Sequence, residues 1–228
     1  MEKGKILLID KPAGWTSFDV VAKIRGKVRK SYTDIGEKPT KRQLRVGHAG
    51  TLDPFATGLL IVLLGDATKR SDEFLKLDKV YEATIRLDAT SSTGDPEGEI
   101  TANQEKSIKK EEIENVLHRF VGEITQTPPI YSAIKIDGQR AYKLARAGRS
   151  VNMPSRPVTI YSLDMIAYNF PDLKVRTHVS SGTYIRTLAE DIGRALGTGA
   201  YCHELRRLRI GDYDIADADS ISEAIINI

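Results

Sequence analysis

A single cysteine among 228 residues leaves no intrachain disulfide and no thiolate cluster, and it fits a reducing compartment. No apolar run exceeds six residues, so no stretch is long enough to span a bilayer as a helix. The N-terminal MEKGKILLID has too short an apolar segment for a signal peptide. The four histidines show no metal-ligand spacing, and Cys202-His203 stand as an isolated adjacent pair. There is no P-loop and no Gly-x-Gly-x-x-Gly opening a helix. These absences lead us to expect a cytoplasmic protein with no membrane contact, no metal and no cofactor.

What is present is the composition of a globular chain long enough to bury a real core, 40% hydrophobic and 29% charged. The net charge of +3 hides an asymmetry. Lys23 to Arg45 carries nine Lys or Arg against two acids, and Ala133 to Val158 carries six against one. Together these stretches hold +12, which leaves −9 on the remainder. Solvated faces usually mix signs, so two concentrated basic segments read as a footprint for a polyanion, with a plain basic surface as the alternative.

Along the chain, Lys5–Asp10 forms a strand and Lys11-Pro12-Ala13-Gly14 a turn. Thr16 to Asp19 has the capping-box form, and Phe18, Val21, Ile24 and Val28 follow at near-helical spacing, predicting a helix to about Lys30. Ser31 to Arg45 lacks periodicity and reads as a long mobile loop. Ala67–Leu77 is a short helix. In Lys79–Asp88, Tyr81, Ala83, Ile85 and Leu87 alternate with polar residues, the pattern of a half-buried strand. Thr90–Gly98 is a turn-rich loop. Ile113, Val116, Leu117 and Phe120 mark an amphipathic helix. A turn at Asp137-Gly138 precedes a basic helix over Arg140–Ala147. Strands over Val158–Phe170 and Leu173–Ser181, a helix with Ile185, Leu188, Ala189, Ile192 and Leu196 on its stripe, and a strand over Leu205–Ile210 follow. A second capping box, Ser220 to Glu223, opens a helical stripe of Ile221, Ala224, Ile225 and Ile228.

The densest stretch runs from Arg45 to Lys69. Leu59–Leu64 is an unbroken apolar run bounded by Gly58 and Gly65, which suits a strand buried on both faces. Before it, Gly47–Gly58 reads as a tight polar loop holding one acid, Asp53, beside Pro54. An Asp-Pro pair by itself only starts a turn. Here His48, Thr51, Asp53 and Thr57 lie among Gly47, Gly50 and Gly58, which lets backbone approach a ligand closely. GHAGTLDPFATGLL resembles the signature loop of the TruB family of tRNA pseudouridine synthases. The resemblance extends from the KPAGWTS turn through Thr127–Lys135 and Gly182-Thr183-Tyr184-Ile185-Arg186 to LRRL, covering Lys11 to about Ile210.

The resemblance implies roles. Asp53 is the catalytic acid, either attacking C1′ of the uridine or taking a proton from C2′. Arg186 pairs with it. Read without the family, Arg186 serves an i,i+4 pair with Glu190. Tyr81 stacks on the flipped base and handles the C5 proton, or else is a core tyrosine. Tyr184 forms a second wall and Leu205 lines the pocket. His48 fills the gap left by the base, or is a turn histidine bonded to backbone. Asp95 lies beside the cleft, and Lys11 and Pro12 serve mainly structural ends near it. Lys135, Arg140, Lys143 and Arg146 belong to a thumb over the T-loop of tRNA.

The fold expected is α+β, a pseudouridine synthase fold with a mixed, mostly antiparallel sheet flanked by helices. It is expected as one domain over 1–228 with a thumb at about 124–157 and no C-terminal RNA-binding domain, an absence that departs from the usual family pattern. The function implied is isomerisation of uridine-55 in the T-loop of tRNA by a monomer without a protein partner. The rivals are a guide-RNA-dependent catalytic subunit and a non-catalytic tRNA-folding protein.

Overall fold

Six apolar residues in a row need cover on both faces of the strand they form, because successive side chains point to opposite sides. The computed structural model, which describes residues 4–103, 108–132, 134–136, 138–149 and 151–224, supplies that cover. In chain order it begins with β1 (Ile6–Lys11), α1 (Ser17–Asp34), β2 (Val46–Ala49) and β3 (Thr57–Leu64). A 3-10 turn, Gly65–Arg70, leads into α2 (Ser71–Leu75), then β4 (Lys79–Arg86), β5 (Ala89–Ser91) and β6 (Ile100–Ala102). Next come α3 (Lys110–Phe120), β7 (Gly122–Gln126), β8 (Lys135–Ile136), β9 (Gln139–Arg140) and α4 (Ala141–Arg146). The chain closes with β10 (Arg156–Asn169), β11 (Asp172–Val179), α5 (Ile185–Leu196), β12 (Tyr201–Ile210), β13 (Tyr213–Asp214) and β14 (Asp219–Ser220). Two compact units result: residues up to Tyr81 with Leu205 onward, and Glu82–Glu204.

In the first unit β3 is central. One edge pairs antiparallel with β1, and the other pairs antiparallel with β2 and parallel with the end of β12. Leu60, Val62 and Leu64 pack with Val20, Val21, Ile24 and Val28 of α1. Leu59, Ile61 and Leu63 pack with Ala49, Ala67, Phe74 and Ile210 on the opposite face. Truncating a leucine of β3 or Ile61 to Ala is the kind of change that costs about 2–5 kcal/mol.

The capping box at the start of α1 is present: Asp19 N–H donates to Thr16 Oγ1 at 3.0 Å and Thr16 N–H to Asp19 Oδ2 at 2.8 Å. The helix runs four residues beyond Lys30. Tyr32 lies four after Val28 and is buried, so the apolar stripe continues, and Lys30 pairs with Asp34 at 3.0 Å. The expected loop therefore starts later, and Thr40 and Gln43 close a local turn within it. Phe18, counted with the stripe, faces solvent instead, while Val20 takes the buried position. The expected signature loop is also partly strand, since Val46–Ala49 pairs with β3, leaving 50–56 as the loop proper.

The second unit is built on β10, which pairs antiparallel with β11 and β7. Ile113, Val116 and Leu117 of α3 are buried, as is the whole stripe Ile185, Leu188, Ala189, Ile192 and Leu196 of α5. Tyr81, Ala83, Ile85 and Leu87 are buried as the alternation required. The basic helix expected over Arg140–Ala147 is α4, following the β8–β9 hairpin. Ser220 and Glu223 form their reciprocal capping bonds. The rest of that C-terminal stripe, Ile225 and Ile228, lies outside the described residues, as does Asp137 of the expected turn.

Candidate active site

Asp53 sits half-buried on the 50–56 loop, and the bonds that hold the loop come from its neighbours. Ser17 Oγ, at the first turn of α1, accepts from Leu52 N–H at 2.9 Å and donates to the Leu52 carbonyl at 3.2 Å. On the other side of Asp53, the Pro54 carbonyl accepts from Gly14 N–H at 2.8 Å and from the Lys11 ammonium at 3.3 Å. Lys11 is fully buried and also bonds the Pro12 and Trp15 carbonyls at 2.9 and 2.7 Å. A buried ammonium is tolerated because carbonyls replace its water. These three carbonyls tie the turn after β1 to the loop that carries Asp53.

Arg207 is the residue that the sequence did not single out. It is 1% exposed, and its guanidinium donates to the Leu59 carbonyl at 2.8 Å and the Gly50 carbonyl at 3.0 Å, spanning the loop from end to end. A Cβ added at Gly58 would lie 2.3 Å from the Arg207 carbonyl oxygen, and Gly58 has φ +102°. That glycine is therefore required where β12 comes alongside β3. The only signal in sequence was that Arg207, one of the three arginines in the strand LRRLRI, shares the alternate positions of Leu205. The adjacent Arg206 ties β12 to β1 through Asp10, with Nη2 to Oδ2 at 2.7 Å.

His48 lies on β2 with its ring 5.3 Å from that of Phe18, edge to face. Its Nδ1 is buried and bonds to nothing among the described residues. Burial, and then the Arg207 charge, hold its pKa below the ordinary 6.5, so the ring is neutral at pH 7. Tyr81 is buried on β4, and Leu205 is buried on β12. Lys79, two residues before Tyr81, is 7% exposed and caps the end of α2 through the Leu75 carbonyl at 2.7 Å. Burial first, and Arg207 second, push its pKa down to about 8.

In the second unit, Arg186 is buried at the start of α5. It donates to Asp95 Oδ2 at 2.8 Å, to the Thr93 carbonyl at 2.9 Å and to the Tyr131 carbonyl at 2.9 Å. Asp95 is in turn held by Thr93 Oγ1 at 2.6 Å and Glu97 N–H at 3.1 Å. The structure thus joins two expected site residues, and the turn-rich 90–98 loop exists to present Asp95 to Arg186. Tyr184 is fixed by the Gln126 side chain, which accepts from its N–H at 2.7 Å and donates to its carbonyl at 3.0 Å. The Arg156 guanidinium lies 5.4 Å from the Tyr184 ring centroid. A cavity of about 490 Å³ opens beside Tyr131, Thr187, Glu190 and Arg194. Burial raises the pKa of Glu190, with Asp191 adding to it. In the segment expected to form a thumb, Arg140 and Lys143 are exposed, Lys135 lies on β8, and Arg146 ends α4.

A mixed sheet carrying a bonded acidic loop at one strand, with helices packed on it, is the architecture of the pseudouridine synthases. The structure matches a chain of a crystal structure of a Cbf5-Nop10-Gar1 complex with a TM-score of 0.70 at 28% identity, covering 96% of this chain and 52% of that one. It thus spans about half of that neighbour. Residues 38–185 match the model for the TruB family pseudouridylate synthase N-terminal domain, and 186–226 that for the tRNA pseudouridylate synthase B C-terminal domain. The chain belongs to the TruB family of pseudouridylate synthases. Among its relatives is the tRNA pseudouridine synthase B of Phocaeicola vulgatus, 45% identical over 221 residues, with 96% of this chain and 91% of that one covered. The Parabacteroides distasonis protein of the same name is 47% identical over 210 residues, covering 92% and 86%. Of the described helices, none is long and apolar enough to cross a membrane.

Proposed function

We propose that this chain converts uridine-55 in the T-loop of tRNA to pseudouridine in the cytoplasm, as a monomer and without a guide RNA. The observation that carries the reading is Asp53, a single carboxylate on a loop held from Lys11, Ser17 and Arg207. Chemistry at C1′ needs an acid that stays where it is put. The N1–C1′ bond of the uridine breaks and C1′ joins C5. C5 loses a proton, N1 gains one, and no electrons enter or leave overall. Asp53 acts at the sugar, as nucleophile at C1′ or as base at C2′. By the family resemblance, Tyr81 stacks on the flipped base and handles the C5 proton, Leu205 is an apolar residue that lines its pocket, and Tyr184 and Arg186 are the aromatic and the arginine of the family's Gly-Thr-Tyr-Ile-Arg motif. The test is purified protein with an unmodified tRNA transcript and no other RNA, followed by mapping of pseudouridine. Modification at uridine-55 supports the reading. Modification only on addition of a guide RNA favours the guide-dependent alternative, and binding without modification favours a folding helper.

A further inference from the structure

We propose that Phe18 is a stacking platform for an unpaired nucleobase next to the target uridine in the RNA strand. Four of the five phenylalanines are buried or half-buried; Phe18 is 73% exposed, the most exposed large hydrophobic among the described residues. Exposed, the ring contributes little to the core, yet its position is tightly specified. The capping box between Thr16 and Asp19 fixes the helix turn that carries it. Its neighbour Ser17 is bonded twice to Leu52, the residue before Asp53. Its ring is steadied edge to face by His48, 5.3 Å away, which is neutral at pH 7. An apolar aromatic surface is thereby held in fixed relation to the candidate catalytic loop.

The chemistry that fits it is a flat π-system with a charged backbone. Beyond Phe18 the exposed residues of α1 include four cations, Lys23, Arg25, Arg29 and Lys30, against two acids, Asp19 and Asp34, the latter paired with Lys30; the cationic excess suits phosphates. When a uridine leaves its stack, the base beside it loses a stacking neighbour, and an aromatic side chain replaces that surface. The inference rests on the reading that the substrate is RNA bearing a flipped uridine, and the experiment separates the two.

The probe is a T-arm hairpin with 2-aminopurine placed in turn on each side of the target uridine. Wild-type protein quenches the fluorescence at one of the two positions, and Phe18→Trp keeps the quench. Phe18→Ala and Phe18→Leu lose it, and in steady-state assays with unlabelled hairpin raise KM by about five- to a hundredfold, with kcat within about twofold. An unchanged melting temperature, expected of an exposed side chain, shows that the variants fold. A quench that survives Phe18→Ala together with an unchanged KM overturns the proposal. Wild-type protein that forms no pseudouridine at all speaks instead against the underlying function.

Discussion

His48 shows how one residue's chemistry is set from outside it. Desolvation penalises its imidazolium, and the nearby Arg207 charge penalises it further. A histidine whose folded pKa lies below its unfolded value binds fewer protons folded than unfolded as pH falls under 6.5. Its contribution is therefore full above that pH and is lost as the solution becomes more acid. NMR titration of the native protein is expected to place the His48 midpoint below 6.5, and Arg207→Met to move it upward. A midpoint at or above 6.5 in the wild type would show that the ring is solvated. Lys79 follows the same sign in a more alkaline window. Its folded pKa of about 8 lies below the ordinary 10.5, so its burial penalty is full below pH 8. Stability then rises between pH 8 and 10.5, by at most about 1.4 kcal/mol per pH unit. Lys79→Met should remove that slope from urea-unfolding curves measured across the window.

At the scale of elements, the glycines of the acidic stretch do different work. A Cβ at Gly47 would meet only Thr68 Cγ2, at an ordinary 3.7 Å, whereas one at Gly58 would collide with the Arg207 backbone. Gly58→Ala should cost about 2–5 kcal/mol, strain plus overpacking, and Gly47→Ala should stay within about 1 kcal/mol. Equal urea midpoints for the two variants would contradict this. The sequence reading attached these glycines to a ligand, but at Gly58 what comes close is strand β12. The difference has a physical cause. Periodicity and capping are local, so the stripe of α5, the alternation of β4, both capping boxes and the two-faced burial of β3 were legible. Arg207 reaches the Leu59 carbonyl across 148 residues of sequence, and nothing local signals that. Phe18 failed for a related reason. Helical spacing is a necessary sign of burial, and Val20 satisfied the inward face better. Asp95 and Arg186 were legible separately through family motifs, while their mutual bond needed the fold.

For the whole molecule, the two basic stretches give a protein of modest net charge the means to hold a polyanion. The exposed Arg140 and Lys143 stand on β9 and α4, and Lys23, Arg25, Arg29 and Lys30 on α1. Each phosphate contact removed should lower the slope of log affinity against log salt by about one. Filter binding of the Lys143→Ala, Arg146→Ala double variant across a salt series is expected to show a shallower slope, and an unchanged slope would exclude the thumb from phosphate contact. The central claim concerns chemistry rather than affinity, and Asp53→Asn isolates it. The substitution keeps size and shape, so the loop bonds to Leu52 and Pro54 should persist and tRNA should still bind with nearly wild-type affinity. Single-turnover assay of pseudouridine formation on an unmodified tRNA transcript, with binding measured in parallel, is the direct test. The account predicts retained binding with no detectable product, and substantial pseudouridine from the purified Asp53→Asn protein would contradict it.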